Sequence, residues 1–121
     1  KHYLTQMAIP YCQQEQIPKE RGIKLSFRFE HYLVDNWKPD VIVSVSSGMR
    51  SSLIVYEVQK RVDQHYVKNF NTRLNNYKSD KTTKHRRVDI VGEIIRLDKV
   101  PDDVSGLKDF VSDCIIWPKW V

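Results

Sequence analysis

The alternation of apolar and polar side chains divides the chain into a short series of elements. Residues 23–29 read I-K-L-S-F-R-F, with Ile23, Leu25, Phe27 and Phe29 at every second position, the period of a strand with one buried face. Residues 41–45 (V-I-V-S-V) and 53–58 (L-I-V-Y-E-V) are β-branched and strand-like, and S-S-G-M-R-S between them is turn chemistry. Residues 39–60 therefore predict a β-hairpin. Its second strand is apolar on both faces apart from Glu57, which places it inside a sheet. Val62, Tyr66, Phe70, Leu74 and Tyr77 then recur at four- and three-residue spacing, one apolar stripe of a helix over residues 61–77. Residues 88–97 predict a further buried strand, and residues 107–111 a short helix.

The remaining segments are less regular. Residues 3–16 fit either a short helix or a strand with its connection, broken at Pro18 and Gly22. Residues 30–37 read as a helical turn or short helix ended by Pro39. The tail C-I-I-W-P-K-W-V either adds an edge strand or covers the core with Trp117 and Trp120. The order is strand, short helix, hairpin, long helix, strand. It predicts an α/β protein with a mixed central sheet flanked by helices.

Composition narrows the class. At 121 residues the chain is expected to form a single domain. It opens on Lys1 rather than Met, as a piece of a longer protein would. The hydrophobic fraction of 40% and charged fraction of 29% describe a globular chain, not a disordered one. No apolar run approaches the roughly 20 residues of a membrane span, and no signal-peptide core is present. Cys12 and Cys114 lack partners at metal-finger spacing and read as reduced structural thiols in a cytoplasmic protein. The net charge of +5 leans toward a polyanionic partner. In the run K-S-D-K-T-T-K-H-R-R, Lys78, Lys81, Lys84, Arg86 and Arg87 stand against one acid, Asp80. This reads as a basic loop, suited either to phosphate contacts or to solvation alone.

Glu57 is the residue that pattern alone does not absorb. A carboxylate among Ile, Val and Tyr is costly to bury unless it is paired or bound to a cation. The hairpin can bring Asp40, which follows Pro39, beside it. Two carboxylates and the Val58 carbonyl would make a hard oxygen site for Mg²⁺ or Mn²⁺. Arg50 or Arg96 pairing with Glu57 is the alternative. Asp89 and Glu93 share one face of their strand and are a further candidate addition to an acidic site.

P39-D40, a hairpin, then E57-V-Q-K60 resembles the PD-(D/E)xK nuclease superfamily. That resemblance implies a restriction-endonuclease-like fold, a DNA substrate and hydrolysis of phosphodiester bonds with Mg²⁺ or Mn²⁺. It implies that Asp40 and Glu57 are metal ligands. Gln59 takes the place of the Lys that usually orients the attacking water, a substitution some members carry, and Lys60 stands one position late. Glu30, in S-F-R-F-E-H-Y-L, is the candidate for a third acid supplied by an early helix. R73-L-N-N-Y77 is similar to a Q-x-x-x-Y element on the helix after the hairpin, implicating Arg73 and Tyr77 in DNA contacts. Residues 2–77 resemble more narrowly the replication-relaxation-type proteins of bacterial plasmids and mobile elements, and competence-type nuclease-like proteins are equally compatible. Many such nucleases are dimers, so a homodimer is a further expectation of the resemblance. A catalytically inactive DNA-binding or replication-control module on the same fold is the alternative that Gln59 favours.

Overall fold

In the computed structural model, which describes residues 1–17, 21–84 and 88–121, the alternating run becomes strand β1 (Lys24–Phe29). It pairs antiparallel with β2 (Val41–Ser47), which pairs antiparallel with β3 (Arg50–Gln59). The fourth strand, β4 (Val88–Arg96), lies parallel to β3, and the sheet order is β1-β2-β3-β4. A parallel neighbour cannot be reached by a tight turn. The crossover is made by the long helix, Gln64–Lys84. The mixed α/β class expected from the sequence is the one observed.

Helices cover both faces of the sheet. On one face a π-helical turn, Leu4–Ala8, runs directly into α1 (Ile9–Gln16). Leu4, Ala8, Ile9 and Cys12 pack there on Val41, Val43 and Val45 of β2 and on Ile54, Tyr56 and Val58 of β3. The crossover helix, α2 (Gln64–Lys84), covers the other face, setting Phe70, Leu74 and Tyr77 against Val55, Ile90 and Trp37. A third helix, α3 (Val104–Cys114), returns to the α1 side and buries Leu107 and Val111. Its first turn is capped by Asp103, whose carboxylate accepts from the Gly106 N–H. Cys12 and Cys114 are free thiols. Among the described residues no helix is long and apolar enough to cross a membrane.

Several local expectations are settled between alternatives or corrected. The ambiguous residues 3–16 are helical. Residues 30–37 are not: Glu30 has φ +48°, and the segment folds into a tight turn closed by the Val34–Trp37 bridge and by the Leu33 N–H donating to the Trp37 carbonyl. The hairpin turn is only Gly48 and Met49, because Ser47 already pairs with Arg50 and Gly48 supplies the positive φ of +59°. The basic run is no loop at its start, since α2 continues through Lys84. Strand β4, expected to be buried, buries Ile90 and Ile95 fully and, among the described residues, pairs only with β3. The tail forms no strand; Trp117 donates to Gln16 Oε1 at 3.2 Å and Trp120 to Ser52 Oγ at 2.8 Å, closing the α1 face.

Gly92 marks where α2 comes closest to the sheet. A Cβ there would stand 2.8 Å from Phe70 Cζ and 2.9 Å from Leu74 Cδ2, well inside van der Waals contact. Gly92→Ala is therefore expected to destabilise the fold by about 1–3 kcal/mol through overpacking, read as a lower urea midpoint with unchanged slope. An unchanged midpoint would show that α2 is free to move away.

Candidate functional site

The β2–β3 register fixes the acid pair. Val41 faces Tyr56, so one step further along the two strands Asp40 stands across from Glu57, and opposed residues of an antiparallel pair project to the same face. Asp40 is buried. Its carboxylate accepts the Val58 N–H at Oδ2 (2.7 Å) and meets the Lys1 ammonium at Oδ1 (2.8 Å). Its carbonyl accepts the Glu30 N–H at 3.1 Å. The side chain thus ties the start of β2 to β3, while the main chain ties it to the end of β1.

Glu57 is half-buried, and each of its oxygens has a donor. Trp37 Nε1 donates to Oε1 at 3.3 Å and the Tyr66 hydroxyl to Oε2 at 2.9 Å. Burial pushes the carboxyl above its ordinary range. The Tyr66 hydrogen bond opposes that shift, the Asp40 charge adds to it, and Trp37 and Lys1 work against it. The Tyr66 hydroxyl is itself held in its neutral form, first by burial and then by the neighbouring Glu57 charge. The Gln59 amide lies against the same hydroxyl, so Tyr66 connects Glu57 to Gln59 on one face of β3.

Tyr66 is positioned by the start of α2. Asp63 caps that helix, its Oδ1 accepting the Tyr66 N–H at 2.8 Å. Trp37 is positioned by the tight turn after β1 and by its edge-on contact with Phe70, with ring centroids 6.0 Å apart and planes at 82°. Sequence reasoning assigned Tyr66 to the core stripe and gave Trp37 no role. The available signal was Glu57 itself, because a buried carboxylate demands donors.

The other sequence candidates distribute unevenly. Glu30 is exposed and leaves β1 outside any helix, yet with Asp40, Lys1, His2, Thr5 and Gln6 it lines a small cavity of about 40 Å³. Lys60 is exposed beyond the end of β3. Asp89 and Glu93 do not join the acid pair. Glu93 pairs in register with Tyr56, on the face opposite Glu57, and Asp89 pairs with Ser52 toward the other end of the sheet. Burial also raises the Glu93 carboxyl above its ordinary range. Arg50 and Arg96 do not neutralise Glu57; Arg96 pairs with Asp98 at 2.8 Å.

Arg73 is exposed two helical turns beyond Tyr66, about 10 Å along the axis. Tyr77 is buried against the sheet. Lys78 is half-buried and lies about 18 Å from Tyr66 along α2. Arg86 and Arg87 lie outside the described residues, as do the side chains of Lys81 and Lys84. The basic run therefore begins toward the end of the sheet away from the acids, rather than around them.

Among the described residues, no three His, Cys, Asp or Glu side chains converge as a metal-ligand group. The donor set is two carboxylates, with the Lys1 ammonium as the cation already against them. A larger cleft of about 730 Å³ runs between α2 and β4, but neither Asp40 nor Glu57 lines it. Comparisons with models of known protein families, with curated proteins and with solved structures each find no match to this chain.

Proposed function

We propose that the chain is a DNA-directed, metal-dependent phosphodiesterase domain built on a PD-(D/E)xK-type core, with Asp40 and Glu57 as the metal-binding acids. The observation that carries this reading is the pair itself: two acids at one end of adjacent central strands, the Asp40 charge adding to the cost of charging Glu57. Asp40 and Glu57 would hold a Mg²⁺ or Mn²⁺ ion, which would offset their charge and supply the chemistry of polarising a phosphodiester and lowering the pKa of water. The chain's own residues do the rest. Asp40 and Glu57 supply hard oxygen donors. Trp37 and Tyr66 hold Glu57 in one orientation, as outer-shell donors do at metal sites. Gln59, beside the Tyr66 hydroxyl, can orient water by hydrogen bonding but cannot supply the positive charge of a Lys. Arg73 reaches a backbone phosphate beyond the acids. The mixed sheet with helices on both faces fits the same reading.

A second reading is favoured by Lys1 and Gln59. Lys1 occupies one oxygen of Asp40 at 2.8 Å, and a chain that lacks the usual Lys can bind DNA without cutting it. Incubation with supercoiled and linear DNA in Mg²⁺ or Mn²⁺ separates the two. Cutting by the wild type, lost in Asp40→Asn and reduced about 10–100-fold in Tyr66→Phe, is the result expected of the nuclease. DNA binding by the wild type with no cutting in either metal rejects it and leaves the binding module.

A further inference from the structure

At the far end of the sheet, the turn Gly48–Met49 projects a fully exposed Met49. Two open clefts of about 400 and 580 Å³ lie beside it and share Met49, Arg50 and Trp120 as walls. Arg21 completes one and Lys119 the other, with Asp89 the one acid among the described residues of either lining. Among the described residues no ion pair engages Arg21, Arg50 or Lys119. Cations left unpaired around an open cleft favour a polyanion.

Trp120 makes the patch more than a charged surface. Its Nε1 is fixed to Ser52 Oγ at 2.8 Å, and Ser52 is fully buried in β3. The indole is thereby anchored by its polar edge while its half-buried ring lines both clefts. A fixed aromatic surface flanked by Arg and Lys is the arrangement that takes an unstacked base with its neighbouring phosphates. A duplex hides its base faces; a single strand offers them.

We infer that the clefts around Trp120 bind a single-stranded nucleic-acid segment, one base against the indole and the adjoining phosphates on Arg50 and Lys119. The inference rests on nucleic acid being the ligand, as proposed above, but not on catalysis. Arg50 is seven residues from Glu57 along β3, about 23 Å, so the two sites are separate contacts on one strand. Cleavage at the acid pair would then act on nucleic acid held at its single-stranded part some distance away.

The test is fluorescence anisotropy of a labelled ten-residue oligothymidylate in EDTA, so that cutting plays no part, over a range of salt concentrations. The wild type is expected to bind and to lose tryptophan fluorescence on binding. Arg50→Gln with Lys119→Gln is expected to weaken binding about tenfold and to reduce the slope of log K against log salt by about 1.4, two phosphates' worth. Trp120→Phe, which keeps an apolar ring in the core, is expected to lose the quench. Equal affinity and slope in the double variant would overturn the inference, as would an unchanged quench in Trp120→Phe. Equal binding of heparin or of acidic phospholipid vesicles, with the oligothymidylate showing no quench, would also overturn it and assign the patch to charge alone. Cleavage assays on the same variants keep the outcomes distinct. A nuclease reading that fails shows no cutting by any protein, whereas failure of this inference alone leaves cutting intact and oligothymidylate binding unchanged by the substitutions.

Discussion

Asp40→Ala is expected to unfold more readily than the wild type by about 1–3 kcal/mol, because it strands the buried Val58 N–H. That N–H donates to Asp40 Oδ2 at 2.7 Å, in a site where Asp40 is 7% exposed. The alanine methyl offers no acceptor, and the cap between the start of β2 and the end of β3 is lost. The Lys1 contact adds little, since Lys1 is 45% exposed and exposed ion pairs contribute about 0–1 kcal/mol. Asp40→Asn keeps a carbonyl oxygen for Val58 and so retains most of this stability. On the proposed nuclease reading, both variants lose the charge that a divalent cation would need, and both are expected to lose cleavage. Urea unfolding of the pair therefore separates the architectural role of the side chain from its chemical one. If Ala and Asn unfold at the same urea concentration, the Val58 hydrogen bond is not what makes Asp40 structural.

The structural part that Asp40 plays bears on which parts of the site were legible in the sequence. The two acids were, because Glu57 interrupts an apolar strand and a hairpin brings Asp40 to it. Their donors were not. Trp37 and Tyr66 reach Glu57 from 20 and 9 residues away, and no local period encodes such a pairing. Tyr66 also satisfies the helical stripe, so its polar end is hidden behind its apolar one.

The strands show the same division. Residues 23–29 were readable because one face of β1 packs on the core and the other meets solvent, and the observed burial alternates accordingly. Strand β4 was readable as a buried strand because Phe70 and Leu74 of α2 lie over Gly92 on one face while Ile95 enters the core on the other. A strand covered on both faces reads as buried whether or not it is flanked by strands on both sides. The end of α2 was missed for the opposite reason. Beyond Tyr77 the helix has no apolar stripe, and Lys, Ser, Asp and Thr continue it without a hydrophobic signature. Where a basic loop was expected, suited to phosphates or to solvation alone, residues 78–84 are a basic helical end, about 18 Å or more from Tyr66.

Glu57→Gln is expected to relieve a strain on the fold that grows with pH and, on the proposed nuclease reading, to remove cleavage. Burial, reinforced by the Asp40 charge, raises the Glu57 carboxyl above its ordinary value of 4.5 despite the Tyr66 and Trp37 donors. Between that ordinary value and the raised one, the folded state holds a proton that the unfolded state has released. Stability therefore falls as pH rises through the window and stays lowered above it. Below the ordinary value both states are protonated and the penalty disappears. Glutamine never ionises, so the melting temperature of the variant relative to wild type should rise from pH 4 to pH 8, whatever fixed cost the amide carries in serving two donors with one oxygen. A divalent cation supplies the second readout. If Mg²⁺ binds at the acid pair, a concentration of about 100 Kd stabilises the wild type by about 2.7 kcal/mol, and the variant gains far less. Equal stabilisation of both proteins by Mg²⁺ would mean that Glu57 is not a ligand, and that its hydrogen bonds to Trp37 and Tyr66 serve the fold alone.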